Sequence, residues 1–148
     1  MPSKTEMSVQ DAINLIIQGM NKKYRPNPKL AKMVTKDLEP GESVLFQVQQ
    51  SYLQNLSPTV VFATKEKLLI VRPSFWFRHL GINLMATTQA DLISYDRMTE
   101  IETVNGRMLS TVVVKVLAAG DVAISGLRQA DTAILVKFLE KVREDIQT

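Results

Sequence analysis

Two apolar β-rich runs joined by a short charged turn constrain this chain more than any other feature. Val60-Val61-Phe62-Ala63-Thr64 is followed by Lys65-Glu66-Lys67 and then by Leu68-Leu69-Ile70-Val71. That spacing predicts a β-hairpin. Further strand signals flank it over 44–52, 91–95, 98–104, 111–117 and 121–125. In the first of these, Val44, Phe46 and Val48 share one face at period two. Asn105-Gly106 predicts a hairpin turn, because both residues tolerate positive φ. The chain then closes on an amphipathic helix over 128–146, with Ile134, Phe138 and Val142 at four-residue spacing. Seven strands followed by one helix describe a β barrel or sandwich whose open end a helix can cap.

The N-terminal region reads differently. Ser8 and Asp11 form an S-x-x-D helix start. Val9, Ala12, Ile13, Ile16, Ile17 and Met20 then recur at helical spacing. Gly19 weakens the last turn, and Arg25-Pro26-Asn27-Pro28 breaks the helix, since proline fixes φ and biases its predecessor away from helix. A second short helix is expected over 29–37, with Leu30, Val34 and Leu38 on one side, before Pro40-Gly41. The expected organisation is a helical arm, 1–37, followed by a β domain, 38–148. The strands and closing helix contain a complete alternating core, so a chain starting near Thr35 is expected to stay folded.

Hydrophobic residues make up 45% of the chain, enough for a packed core and against wholesale disorder. The absence of cysteine excludes disulfides and thiolate metal sites. No apolar run is long enough to span a bilayer, and the first residues lack the order of a signal peptide. A cytoplasmic location is therefore expected, with peripheral membrane attachment as the variant. Residues 1–37 hold seven basic and three acidic side chains, and the remainder holds eleven and twelve. The basic character belongs to the arm, which points to anionic membrane or nucleic acid, or simply to a solvated helix face.

Three stretches resemble the prokaryotic pleckstrin-homology-like domains. They are Pro40-Gly41-Glu42 before the first strand, Thr64-Lys65-Glu66-Lys67-Leu68 between strands two and three, and Tyr95-Asp96-Arg97-Met98-Thr99-Glu100-Ile101 between the sheets. The resemblance covers about residues 38–146. It implies four strands in one sheet, three in the other, and a C-terminal capping helix. Pleckstrin-homology domains that bind phosphoinositides carry several basic residues in the loop between strands one and two. The matching loop here, Leu53-Gln54-Asn55-Leu56-Ser57-Pro58, has none, which argues against inositol-phosphate recognition of that kind.

Catalytic chemistry has little to work with. His79 is the one histidine and has no carboxylate neighbour in sequence until Asp91. The acidic pairs Glu100/Glu102 and Glu144/Asp145 lack ligand-loop spacing, and no glycine-rich phosphate cradle occurs. No enzyme activity, cofactor or metal is expected. The aromatic run Phe75-Trp76-Phe77 beside Arg78 stands out, because three consecutive aromatics cannot all point inward from one strand. These four residues are the candidate partner contacts. Lys22, Lys23, Arg25 and Lys29 are the candidate contacts to an anionic surface. The expected function is a non-catalytic module for protein–protein contacts, self-association included. The alternative is peripheral attachment to anionic membrane through the arm and the 75–80 loop. Nucleic-acid binding is disfavoured, because the aromatics are not interleaved with the lysines.

Overall fold

The computed structural model describes residues 8–20, 22–51, 59–72 and 89–147. Strands β1 (Phe46–Gln49), β2 (Val60–Ala63), β3 (Lys67–Arg72) and β4 (Gln89–Ser94) form one antiparallel sheet in chain order. Strands β5 (Met98–Asn105), β6 (Leu109–Val116) and β7 (Gly120–Arg128) form a second. Helix α1 (Val9–Gln18), a 3-10 turn (Lys22–Tyr24), α2 (Pro28–Ala31) and a 3-10 helix (Lys32–Asp37) precede the sheets, and α3 (Gln129–Gln147) follows them. The chain is mainly β, with seven described strands in two sheets and a C-terminal helix, as the strand count implied.

The main core lies between the sheets and under α3. Phe138, fully buried, meets the Phe46 ring edge-on at 4.8 Å and the Tyr95 ring at 5.9 Å. Val142 is buried one turn further on, and Ile134 is half-buried one turn before. The closing helix is therefore a plug, as its four-residue spacing predicted.

A second core lies on the other side of the first sheet. Val61, Ala63, Leu68 and Ile70 face the main core. Their neighbours Val60, Phe62, Leu69 and Val71 point outward, yet are also buried, under Val34, Ala31, Leu38 and Val44. Strands covered on both faces lose the polar alternation of a half-exposed sheet. That is why β2 and β3 read as continuous apolar runs. Val44 belongs to this outer cluster and not, as its spacing suggested, to the face of Phe46 and Val48.

The arm is therefore packed into the domain. Ile13 and Tyr24 join the main core, and α1 lies along α3. The boundary at residue 38 does not coincide with a gap in packing. The start of α1 follows the sequence signal: Ser8 Oγ accepts the Asp11 N–H at 3.0 Å. The second helix is shorter than expected and tightens to 3-10 from Lys32, where the Thr35 hydroxyl donates to the Ala31 carbonyl. Such side-chain bonds compete with regular helix.

The three family-like stretches meet at one place. Glu42 accepts the Thr64 hydroxyl at 2.6 Å and the Glu39 N–H at 2.8 Å, and pairs with Lys67 Nζ at 3.1 Å. Tyr95 Oη donates to the Thr64 carbonyl at 2.7 Å. Burial pushes the Glu42 carboxyl up, but the bonds from Thr64, Glu39 and Lys67 outweigh it and hold it below the usual carboxylate range. A depressed folded-state pKa stabilises the fold above the ordinary glutamate pKa, about 4.3, and that contribution is lost as pH falls through the lower folded value. Glu42→Gln should accordingly flatten the acid limb of a urea-stability curve measured from pH 6 down to about pH 3. An acid limb identical to wild type would remove Glu42 from the account.

A bulge joins the sheets at their other end. Register shifts between Ser110 and Val112, so that Ser125 and Gly126 of β7 face Thr111, and Gly126 has φ +72°. The Gly126 carbonyl accepts the Ser51 N–H at 2.8 Å, and the Ser125 carbonyl accepts from Gln50 Nε2 at 3.1 Å. The bulge thus turns two β7 carbonyls toward the end of β1. Gly126→Ala should cost about 1–2 kcal/mol, the penalty for a Cβ in the left-handed region. A chemical-denaturation midpoint equal to wild type would show that the bulge relaxes freely. The hairpin expected at Asn105-Gly106 joins β5 to β6, although neither residue has positive φ. Gly106 is needed for space, because a Cβ there would lie 2.5 Å from the Leu109 carbonyl oxygen.

Candidate functional site

Tyr24 anchors the arm. Its hydroxyl donates to Asp131 Oδ1 at 2.6 Å, and Lys23 Nζ lies 3.4 Å from the same oxygen and 4.9 Å from the Tyr24 ring centre. Burial, followed by the Asp131 carboxylate, pushes the Tyr24 hydroxyl pKa up. Asp131 sits in the first turn of α3, where helix N–H groups favour a carboxylate. Sequence reading treats Lys23 as a surface cation and gives Tyr24 and Asp131 no role. Their pairing joins residues far apart in the chain and leaves no local spacing signal.

Beside this anchor is a polar cleft of about 190 Å³, lined by Gln47, Gln49, Gln50, Ser51 and Arg128. Much of its polarity is already used internally. Gln47 Oε1 accepts the Asn27 N–H at 2.8 Å, and Gln50 bonds both Thr59 and Ser125. The cleft reads as the seam that ties the arm, β1 and β7 together.

A larger groove of about 480 Å³ runs between α1 and α3. Leu15, Ile16, Gly19 and Met20 form one wall, Ala130 and Ile134 the other, with Lys23 and Lys137 at the rims. Leu15 is 52% exposed. It stands beside the stripe of Ile13, Ile17 and Met20 that α1 turns toward its own domain. The sequence stripe omits Leu15, so the groove escapes the periodicity reading.

The second sheet ends in β5, which pairs with β6 alone among the described residues. On its outer face Glu100 and Glu102 each lie 3.5 Å from Lys115. Arg143 of α3 reaches across to donate to the Thr99 carbonyl at 2.7 Å, which covers the start of this edge.

The four candidate anionic contacts are brought to one stretch, though unequally. Lys22 and Arg25 are exposed, Lys23 is committed to Asp131 and Tyr24, and Lys29 falls within α2. Phe75, Trp76, Phe77 and Arg78, together with His79 and the 53–58 loop, lie outside the described residues. Among the described residues no cluster of His, Asp or Glu could hold a metal ion, and no helix is long and apolar enough to cross a membrane.

Neither a family model nor a curated protein matches the chain. A solved structure does. It is a DUF1696 family protein with a pleckstrin-homology domain, from Shewanella loihica PV-4. The TM-score is 0.56 and the identity 10%, and the match covers 84% of this chain and 99% of that one. At that identity the likeness concerns the fold: this is a pleckstrin-homology-like fold.

Proposed function

We propose that this chain is a non-catalytic binding module whose partners are proteins, a second copy of itself included. The pleckstrin-homology-like fold supports the module reading. The single observation that favours protein over membrane is the orientation of α1. Its apolar stripe faces α3 and the core, so the helix that would have to lie in a bilayer surface is already occupied. What it leaves open is the groove edged by Leu15. The loop bearing Phe75, Trp76, Phe77 and Arg78 is a proposed additional contact.

The reading is tested by light-scattering mass at two concentrations, run with co-sedimentation on anionic and neutral liposomes. A multimer, or a monomer that ignores both liposomes, agrees with protein binding. A monomer that pellets with anionic lipid, and is released as salt shortens the Debye length below about 10 Å, selects membrane attachment through Lys22 and Arg25. Replacing Phe75, Trp76 and Phe77 with serine should weaken a contact more than the fold. An unfolded variant would make these aromatics core residues.

A further inference from the structure

We propose that the groove between α1 and α3 is the docking site for an amphipathic helix of a partner protein, with carboxylates flanking its apolar stripe. This rests on the protein-binding reading and names the surface and the partner's chemistry. Two helices lying side by side present ridges and a groove into which a third helix packs. The volume, about 480 Å³, accommodates several apolar side chains. Its walls are apolar: Leu15 is exposed, and Ile16, Met20 and Ile134 are half-buried. Gly19 has no side chain, so a partner backbone can approach that end closely.

The charge is one-sided. Among the described residues, both charged side chains that line the groove, Lys23 and Lys137, are cations. Lys23 pairs with Asp131, but its side chain is 50% exposed and the carboxylate side chain 9%. The more exposed partner of that pair is therefore the cationic side chain, and Lys137 is exposed as well. Lys22 and Arg25, both exposed, extend positive charge just beyond the end of α1. An apolar stripe flanked by Glu or Asp complements this surface, and a stripe flanked by Lys is repelled. The described helices of a second copy do not supply that pattern. The exposed side of α3 mixes Lys137 and Lys141 with Glu140 and Glu144, and α1 carries the single carboxylate Asp11.

The test uses two labelled synthetic helical peptides with the same leucine stripe at i, i+3, i+4 and i+7, one with Glu and one with Lys on the flanks. Fluorescence anisotropy with the full chain should show the Glu peptide binding at least about tenfold more tightly. Its advantage should shrink between about 50 and about 300 mM NaCl. Leu15→Glu should weaken the Glu peptide by about tenfold or more, and Lys137→Glu should reduce or reverse the preference. Because Leu15 is exposed, both variants should melt like wild type, and Leu15→Ser supplies a milder check. Equal or absent binding of the two peptides overturns the proposal, as does indifference to Leu15→Glu. Leu15-dependent binding of anionic vesicles would assign the groove to a lipid surface. A concentration-dependent dimer abolished by Leu15→Glu would assign it to a second copy. A multimer that ignores Leu15→Glu and both peptides overturns this proposal alone and leaves the protein-binding reading standing.

Discussion

Phe138→Ala should destabilise the domain by about 3–5 kcal/mol, the usual cost of emptying a buried phenylalanine site. The reason lies in what the ring holds together. Phe138 comes from the last helix, Phe46 from the first strand, and Tyr95 from the 3-10 turn between the sheets. All three rings are at most 2% exposed. Removing the central ring takes away two edge-to-face contacts and leaves a void at the junction of both sheets and α3. The void has little room to close. Tyr95 is tied by its hydroxyl to the Thr64 carbonyl, and Phe46 by its strand to Ala63. Urea denaturation gives the number directly. A loss below about 1 kcal/mol, typical of a surface substitution, would show that the helix does not plug the sandwich.

The parts of this fold that sequence patterns revealed are those with local signals. Ser8 and Asp11 marked the start of α1, the Ile134, Phe138 and Val142 spacing marked the buried side of α3, and the charged turn over 65–67 marked the β2–β3 hairpin. What stayed hidden depended on distant contacts. Val60, Phe62, Leu69 and Val71 say only that both faces of a strand are covered, and nothing local says that residues near Val34 cover them. Tyr24 carries no local signal because its partner Asp131 lies at the other end of the chain. Leu15 sits off the main stripe of α1, so its exposure depends on how α1 rests on α3. Lys22, Lys23 and Arg25 resemble a uniform basic run, whereas among the described residues Lys23 is the one of the three bound to a carboxylate.

Deleting residues 1–34 should have the largest effect of all. The deletion removes Val34 from the outer core and Ile13 and Tyr24 from the main core. It also takes Ala31 and Val34 off Val60, Phe62, Leu69 and Val71, each now at most 3% exposed, and leaves only Leu38 and Val44 of the described cover. Burial of one such side chain contributes about 1.5–3 kcal/mol. The combined loss is of the order of the whole stability of a small domain, about 5–15 kcal/mol. Four neighbouring apolar side chains on a partly uncovered sheet would also promote association of the truncated chain.

The arm's place in the fold underlies both the occupied face of α1 and the groove beside it. The measurement that bears on it most directly is thermal unfolding of residues 35–148 beside the full chain, followed by near-ultraviolet circular dichroism and a dye that binds exposed apolar surface. The shorter chain is expected to lose its cooperative transition and to bind the dye before heating. A cooperative transition within a few degrees of the full chain, without dye binding, would contradict that expectation and make the sheets a self-sufficient domain.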